Sequence, residues 1–126
     1  MQTKVLLSIK PQFADQIFAG TKRYEFRRVI FRSDRVTKIV VYASSPVQRV
    51  IGEFRIAEIL ASDVKQLWNK TKSYAGIEKE HFDDYFDGRT TAYAIKICNP
   101  LKYKKPAKLE HLFEFNRPPQ SFRYLG

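Results

Sequence analysis

The opening stretch of the chain changes its period twice. In "KVLLSI" (Lys4–Ile9), Val5, Leu7 and Ile9 alternate toward one side, as strand residues do. After Lys10-Pro11 the apolar positions Phe13, Ala14, Ile17 and Phe18 recur three and four apart, which is one face of a helix. Proline suits the first helical turn, and Gly20 supplies a residue able to take the left-handed conformation that stops it. From Arg23 the period of two returns, with Tyr24 and Phe26 on one face and Glu25 and Arg27 on the other. A strand, a helix over 11–19 and a strand over 23–31 therefore follow one another closely. A chain that does this is neither a helical bundle nor an all-β sandwich.

The rest is richer in strands. Arg32–Arg35 is a polar turn, and "VTKIVVYAS" is a β-branched run that reads as a buried strand, broken by Ser44-Ser45-Pro46. "RVIGEFRIAEILA" predicts another strand, with Gly52 as a bulge or a point of close packing. Ser62 and Asp63 can cap a helix over "VKQLWNKTK", and "IEKEHFDDYF" predicts one more, ended by Gly88. "TTAYAIKIC" is a further strand. The tail from Asn99 holds four of the six prolines, and "LFEF" is its expected edge strand, followed by a proline-stiffened end. No βαβ alternation runs through the chain. The reading is a single α+β domain over 1–126: a small β-barrel or strongly curved mixed sheet with two to three short helices at its rim.

The charge is lopsided. Lys and Arg number 23 against 13 Asp and Glu, a formal net of +10. Residues 41–98 are balanced, with eight of each sign, so the whole excess lies toward the two ends of the chain. If those ends meet in space they form one basic field, which attracts nucleic acid by neutralising phosphate and releasing counterions. One cysteine, Cys98, excludes an internal disulfide framework and points to a reducing compartment. Cys98, His81 and His111 have no zinc spacing, so neither a metal nor another cofactor is expected. No apolar run approaches the roughly 18 residues of a membrane span. The expected setting is cytoplasmic.

The charges around the first helix-to-strand turn are the main candidates for chemistry. Lys22 sits at the turn, where its stem can reach over a cleft. Glu25 and Arg27 share a strand face, so the carboxylate can hold the guanidinium fork in a fixed direction for phosphate or a base edge. A partly buried ion pair that orients only itself is the plainer alternative. Arg28, Arg32 and Arg35 extend the charge. In the tail, Phe122 and Tyr124 interleave with Arg123 behind Pro118-Pro119, a pattern that can stack unpaired bases. Phe122 reads better as core, Tyr124 is open, and Gln120 could read a base edge. Trp68, Cys98 and His81 read as packing residues, and Asp83, Asp84 and Asp87 as a solvated face.

"SIKPQFADQIFAGTKRYEFRR" resembles the ASCH family. The Gly-x-Lys-x-x-Glu-x-Arg signature falls on Gly20, Lys22, Glu25 and Arg27. "YASSPVQRVIGEF", "YFDG" with "AYAI", and "PPQSFRYL" are similar to the family too, so the resemblance spans nearly the whole chain. It implies a PUA-like β-barrel and binding of RNA or a modified nucleotide in a cleft beside the first helix. The binding set is then Lys10, Lys22, Glu25, Arg27 and Arg28, with Gln120 and Tyr124 from the tail. The resemblance also implies an enzymatic alternative. Some ASCH-like proteins are amidohydrolases acting on N4-acetylcytidine, and others are reported as ribonucleases. The catalytic groups would be Lys22 and Glu25, with Glu25 as general base and Lys22 stabilising an oxyanion. The amidohydrolase branch carries threonine where Glu25 stands, a departure that weighs against an amidase. A protein-interaction domain, whose basic patch meets acidic proteins, is the third reading.

Overall fold

The computed structural model describes residues 3–125. β1 (Thr3–Ile9) leads into α1 (Pro11–Ala19), and β2 (Tyr24–Arg27), β3 (Val36–Ala43) and β4 (Arg49–Ser62) follow. Then come α2 (Val64–Thr71), a 3-10 turn (Lys72–Tyr74), α3 (Lys79–Tyr85), β5 (Ala92–Ala107), α4 (Leu109–Leu112) and β6 (Phe122–Leu125). The strands form one mixed sheet in the order β2-β5-β4-β3-β1-β6, with β1 and β3 parallel and every other neighbour antiparallel.

The sheet is not closed into a barrel, which corrects half of the expectation and upholds the other half. β2 and β6 are its two edges, and no backbone ladder joins them. They nevertheless face each other. Arg27 on β2 donates from Nη2 to the carbonyl of Ser121, just before β6, at 3.0 Å. Its Nη1 reaches the Ser8 carbonyl on β1 at 3.5 Å. The sheet therefore curls until a single guanidinium spans its open seam.

Three apolar clusters hold this shape. The largest lies between α1 and the sheet, with Val5, Leu7, Ile17, Ile39, Val41, Phe54 and Ile95. A second, around Phe26, Leu67, Phe82 and Phe86, fixes α2 and α3 at the end of β2 and β5. The third covers the other sheet face with Leu6, Val40, Val50 and Leu109. Gly52 places α1: a Cβ there would lie 2.5 Å from the Phe18 ring and 2.6 Å from the Leu101 carbonyl. The pairing register also shifts beside it, so both sequence readings of Gly52 hold.

Three boundaries differ from the sequence reading. β2 stops at Arg27 rather than residue 31, because Arg27 pairs with Tyr93 and its partner strand begins one residue earlier, at Ala92. β5 does not end at Cys98. Asn99, with φ of 50°, and Pro100 bulge out opposite Phe54, and pairing with β4 resumes at Leu101. "LFEF" is not a strand: α4 ends at Leu112, and Phe113 and Phe115 stack with centroids 5.2 Å apart against the third cluster. The edge beside β1 is taken instead by Phe122–Leu125.

Candidate nucleic-acid interface

The helix-to-strand turn is built by its backbone. Gly20, with φ of 85°, ends α1, and the Gln16 carbonyl then accepts from the N–H groups of both Thr21 (3.0 Å) and Lys22 (3.2 Å). Arg23 N–H donates to the Tyr74 carbonyl at 2.9 Å, tying the turn to the segment after α2. This fold-back sends the Lys22 side chain inward. Only 2 % of Lys22 is exposed. Its Nζ donates to the Ala75 carbonyl at 2.6 Å and lies 5.0 Å from the Phe13 ring centroid and 4.8 Å from that of Phe26. The stem was expected to reach over the cleft; it instead forms part of the floor. Aromatic faces and one carbonyl hold the ammonium.

Glu25 and Arg27 share a face as expected and pair at 3.3 Å, with their side chains about nine-tenths buried. Burial pushes the Glu25 carboxyl above its usual range, against the pull of Arg27 and Lys22. Burial lowers Lys22, and Glu25 opposes the shift. The two groups are displaced toward each other, which brings amine and carboxyl closer to exchangeable protons than either would be in water.

Above this floor opens a cleft of about 1040 Å³. Lys10, Arg28 and Gln120 line it along with Lys22, Glu25 and Arg27, so six of the seven expected binding residues meet in one place. Tyr124 does not join them. Its hydroxyl accepts from the backbone N–H groups of Arg32 (3.1 Å) and Ser33 (3.2 Å), outside the cleft. Phe122 is half-buried and packs against the first cluster, on Phe31 with centroids 5.8 Å apart, in the packing role expected of it.

Sequence reasoning missed the far wall. His81, Asp84 and Tyr85 on α3, with Arg89 beyond it, face α1 across the cleft. His81 was read as packing, yet it is exposed. The Tyr85 hydroxyl lies 3.3 Å from both the Arg28 N–H, which donates to it, and the Phe26 carbonyl, which accepts from it. It thus satisfies the open edge of β2. The Arg28 guanidinium sits 4.6 Å from the Tyr85 ring centroid, which holds that charge at the cleft mouth. The signal for α3 was present in its amphipathic spacing, but nothing in the sequence said which solvated side would face α1.

A family model described as ASCH domain matches residues 7–107. The chain belongs to the ASCH domain family. An ASCH domain-containing ribonuclease of Zymomonas mobilis is 33 % identical over 97 % of this chain and 84 % of that protein. The crystal structure of ASCH from the same organism superposes with a TM-score of 0.88 at 30 % identity, covering 98 % of this chain and 87 % of that one. A Ureaplasma parvum protein named ATP synthase subunit alpha is 34 % identical over 96 % of this chain, but the chain spans only 15 % of its length. The mixed six-stranded sheet with short helices is thus the ASCH, PUA-like fold. Among the described residues no helix is long and apolar enough to cross a membrane.

Proposed function

We propose that this ASCH domain binds RNA, or a modified nucleotide within it, in the cleft between α1 and α3. The observation that carries the proposal is the floor: a buried lysine, glutamate and arginine beneath a mouth supplied with Lys10, Arg28 and Arg89. The mouth cations meet phosphates and contribute salt-dependent affinity. The Arg27 guanidinium, its terminal nitrogens already donating to Ser8, Glu25 and Ser121, adds a fixed positive charge beneath a bound phosphate. Phe13 and Tyr85 supply apolar walls for a base. A labelled single-stranded RNA titrated across a salt series tests this. Binding should weaken as salt rises, and Arg28→Ala should lower the log–log slope by about 0.7, the worth of one single-strand phosphate contact. A wild-type protein that binds no RNA at low salt rejects the proposal.

A hydrolytic reading is favoured by one observation, the converging protonation of Lys22 and Glu25. In RNA cleavage, Glu25 would take the proton of the 2′-hydroxyl as that oxygen attacks phosphorus, the bond from phosphorus to the 5′ oxygen would break with water protonating the leaving oxygen, and Lys22 would steady the charge on the phosphate oxygens. The ribonuclease named among the relatives supports this chemistry class. A time course of RNA cleavage, with N4-acetylcytidine as a second substrate, should show activity lost in Glu25→Gln. A flat wild-type time course on both substrates discards it.

A further inference from the structure

On the other face of the sheet lies a second groove, of about 800 Å³, that the cleft does not use. The tail builds it. Phe113 and Phe115 stack nearly parallel, at 6°, and the Arg123 guanidinium carbon lies 3.6 Å from the Phe115 ring centroid. The ring holds that guanidinium in place and leaves its outer side toward the groove. Lys4 and Lys105 line the same groove, with Glu114 as its one carboxylate. Among the described residues, none of these three cations forms an ion pair. The groove is not sealed, since Tyr124 and Leu112 on its rim are 43 % and 49 % exposed.

The groove also connects to the cleft. Arg123 and Leu125 fall on one face of β6, and Arg123 pairs with Leu6. Arg27, on the cleft floor, bonds both the carbonyl and the hydroxyl of Ser121. From that anchor to Arg123 is two residues of chain, at most about 7 Å. A row of unpaired cations with a held guanidinium plane, running on from a basic cleft, fits an extended polyanion with flat bases. An acidic peptide would find the charges but would leave the stacked plane unused.

We propose that this groove is a second contact for the same single-stranded RNA, so that one strand runs from the cleft across β6 and stacks a base on Arg123. This rests on the RNA reading of the cleft. The test titrates labelled RNAs of about 4 and about 12 nucleotides, the small and large ends of single-strand site sizes. Arg123→Ala should weaken the long RNA about tenfold and flatten its salt slope, while leaving the short one unchanged. Arg123→Lys should recover the slope but not the affinity, because lysine carries the charge without the plane. Lys105→Ala, on an exposed side chain, gives a second variant whose folding is not in question, and it should also flatten the long-RNA slope. Arg28→Ala should weaken both RNAs. If Arg28→Ala weakens both and the groove variants change neither, the groove proposal is overturned and the cleft reading stands. If the groove variants weaken the long RNA and Arg28→Ala changes nothing, the cleft reading fails and the groove is the site. An acidic peptide that binds wild type and not Arg123→Ala, with RNA binding equal in both, overturns the proposal in favour of a protein partner.

Discussion

Two glutamates on this sheet each meet one cation, and their surroundings make them opposites. Glu53 on β4 pairs with Lys38 at 2.8 Å and accepts from the Tyr103 hydroxyl, also at 2.8 Å. Its side chain keeps some water, and these two bonds hold its carboxyl below the usual range. Tyr103 is pushed up in turn, by burial first and then by Glu53. Glu25 has lost its water and accepts from a single side chain, Arg27 at 3.3 Å, so burial outweighs pairing and its carboxyl rises. At Glu53 the folded state satisfies the charge. At Glu25 it does not, and Lys22 beside it is likewise buried with only one hydrogen bond. Two buried charged groups left with unmet bonding are poor ways to stabilise a fold. They suit a floor waiting for a ligand's polar atoms.

The largest effect expected from this contrast is at Arg27. Arg27→Ala strands Glu25 in a dry site and unfastens the seam between the sheet's edges, and it should cost about 3–5 kcal/mol in urea unfolding. Glu53→Gln, by comparison, should cost about 1 kcal/mol or less, because the Lys38 pair is partly hydrated and the Tyr103 bond can re-form to an amide. Gly76→Ala falls between them. Its φ of 68° disfavours a side chain, and its Cβ would lie 2.7 Å from the Lys22 stem. A loss of about 1–3 kcal/mol in unfolding free energy, with weaker RNA binding, is expected.

Smaller in size but sharper in sign is the pH dependence. The raised Glu25 contributes stability that is present below its unfolded pKa of 4.5 and lost as pH rises through the folded value. The lowered Glu53 contributes stability that is present above 4.5 and lost as pH falls through its folded value. Melting temperatures from pH 3 to 7 therefore separate the two. The difference between Glu25→Gln and wild type should grow with pH above 4.5 in favour of the variant. The difference for Glu53→Gln should move in favour of wild type as pH climbs toward and past 4.5. Parallel curves would remove the contrast.

Much of this was legible in the chain. Pro11 and Gly20 bracket α1 as their backbone preferences dictate, and the alternation of Tyr24–Arg27 correctly put Glu25 beside Arg27. What could not be read were features decided by distant partners. Lys22 is buried because residues 72–76, some fifty positions on, cover it with the Ala75 carbonyl. "LFEF" alternates like a strand, yet its aromatics serve the third cluster while Phe122–Leu125 takes the edge. The amphipathic spacing of α3 showed that one side is apolar, but the facing of His81 and Tyr85 toward α1 depends on how Phe82 and Phe86 dock on Phe26. Closure failed for a like reason: period-two patterning counts strands but says nothing of whether the first and last edges pair.

The central claim is that the Lys22–Glu25–Arg27 floor is kept for a ligand and not for the fold. Lys22→Met tests it most directly, because methionine fills the space between Phe13 and Phe26 without the charge. Burial has lowered the folded pKa of Lys22, so the stability linked to its titration is present above its unfolded value of 10.5 and lost as pH falls through the folded value. Unfolding free energy and RNA affinity should be measured on the same preparation at pH 7. The account predicts stability equal to or above wild type with RNA affinity lost. Lower stability with unchanged affinity would contradict it and make the floor a structural ion cluster.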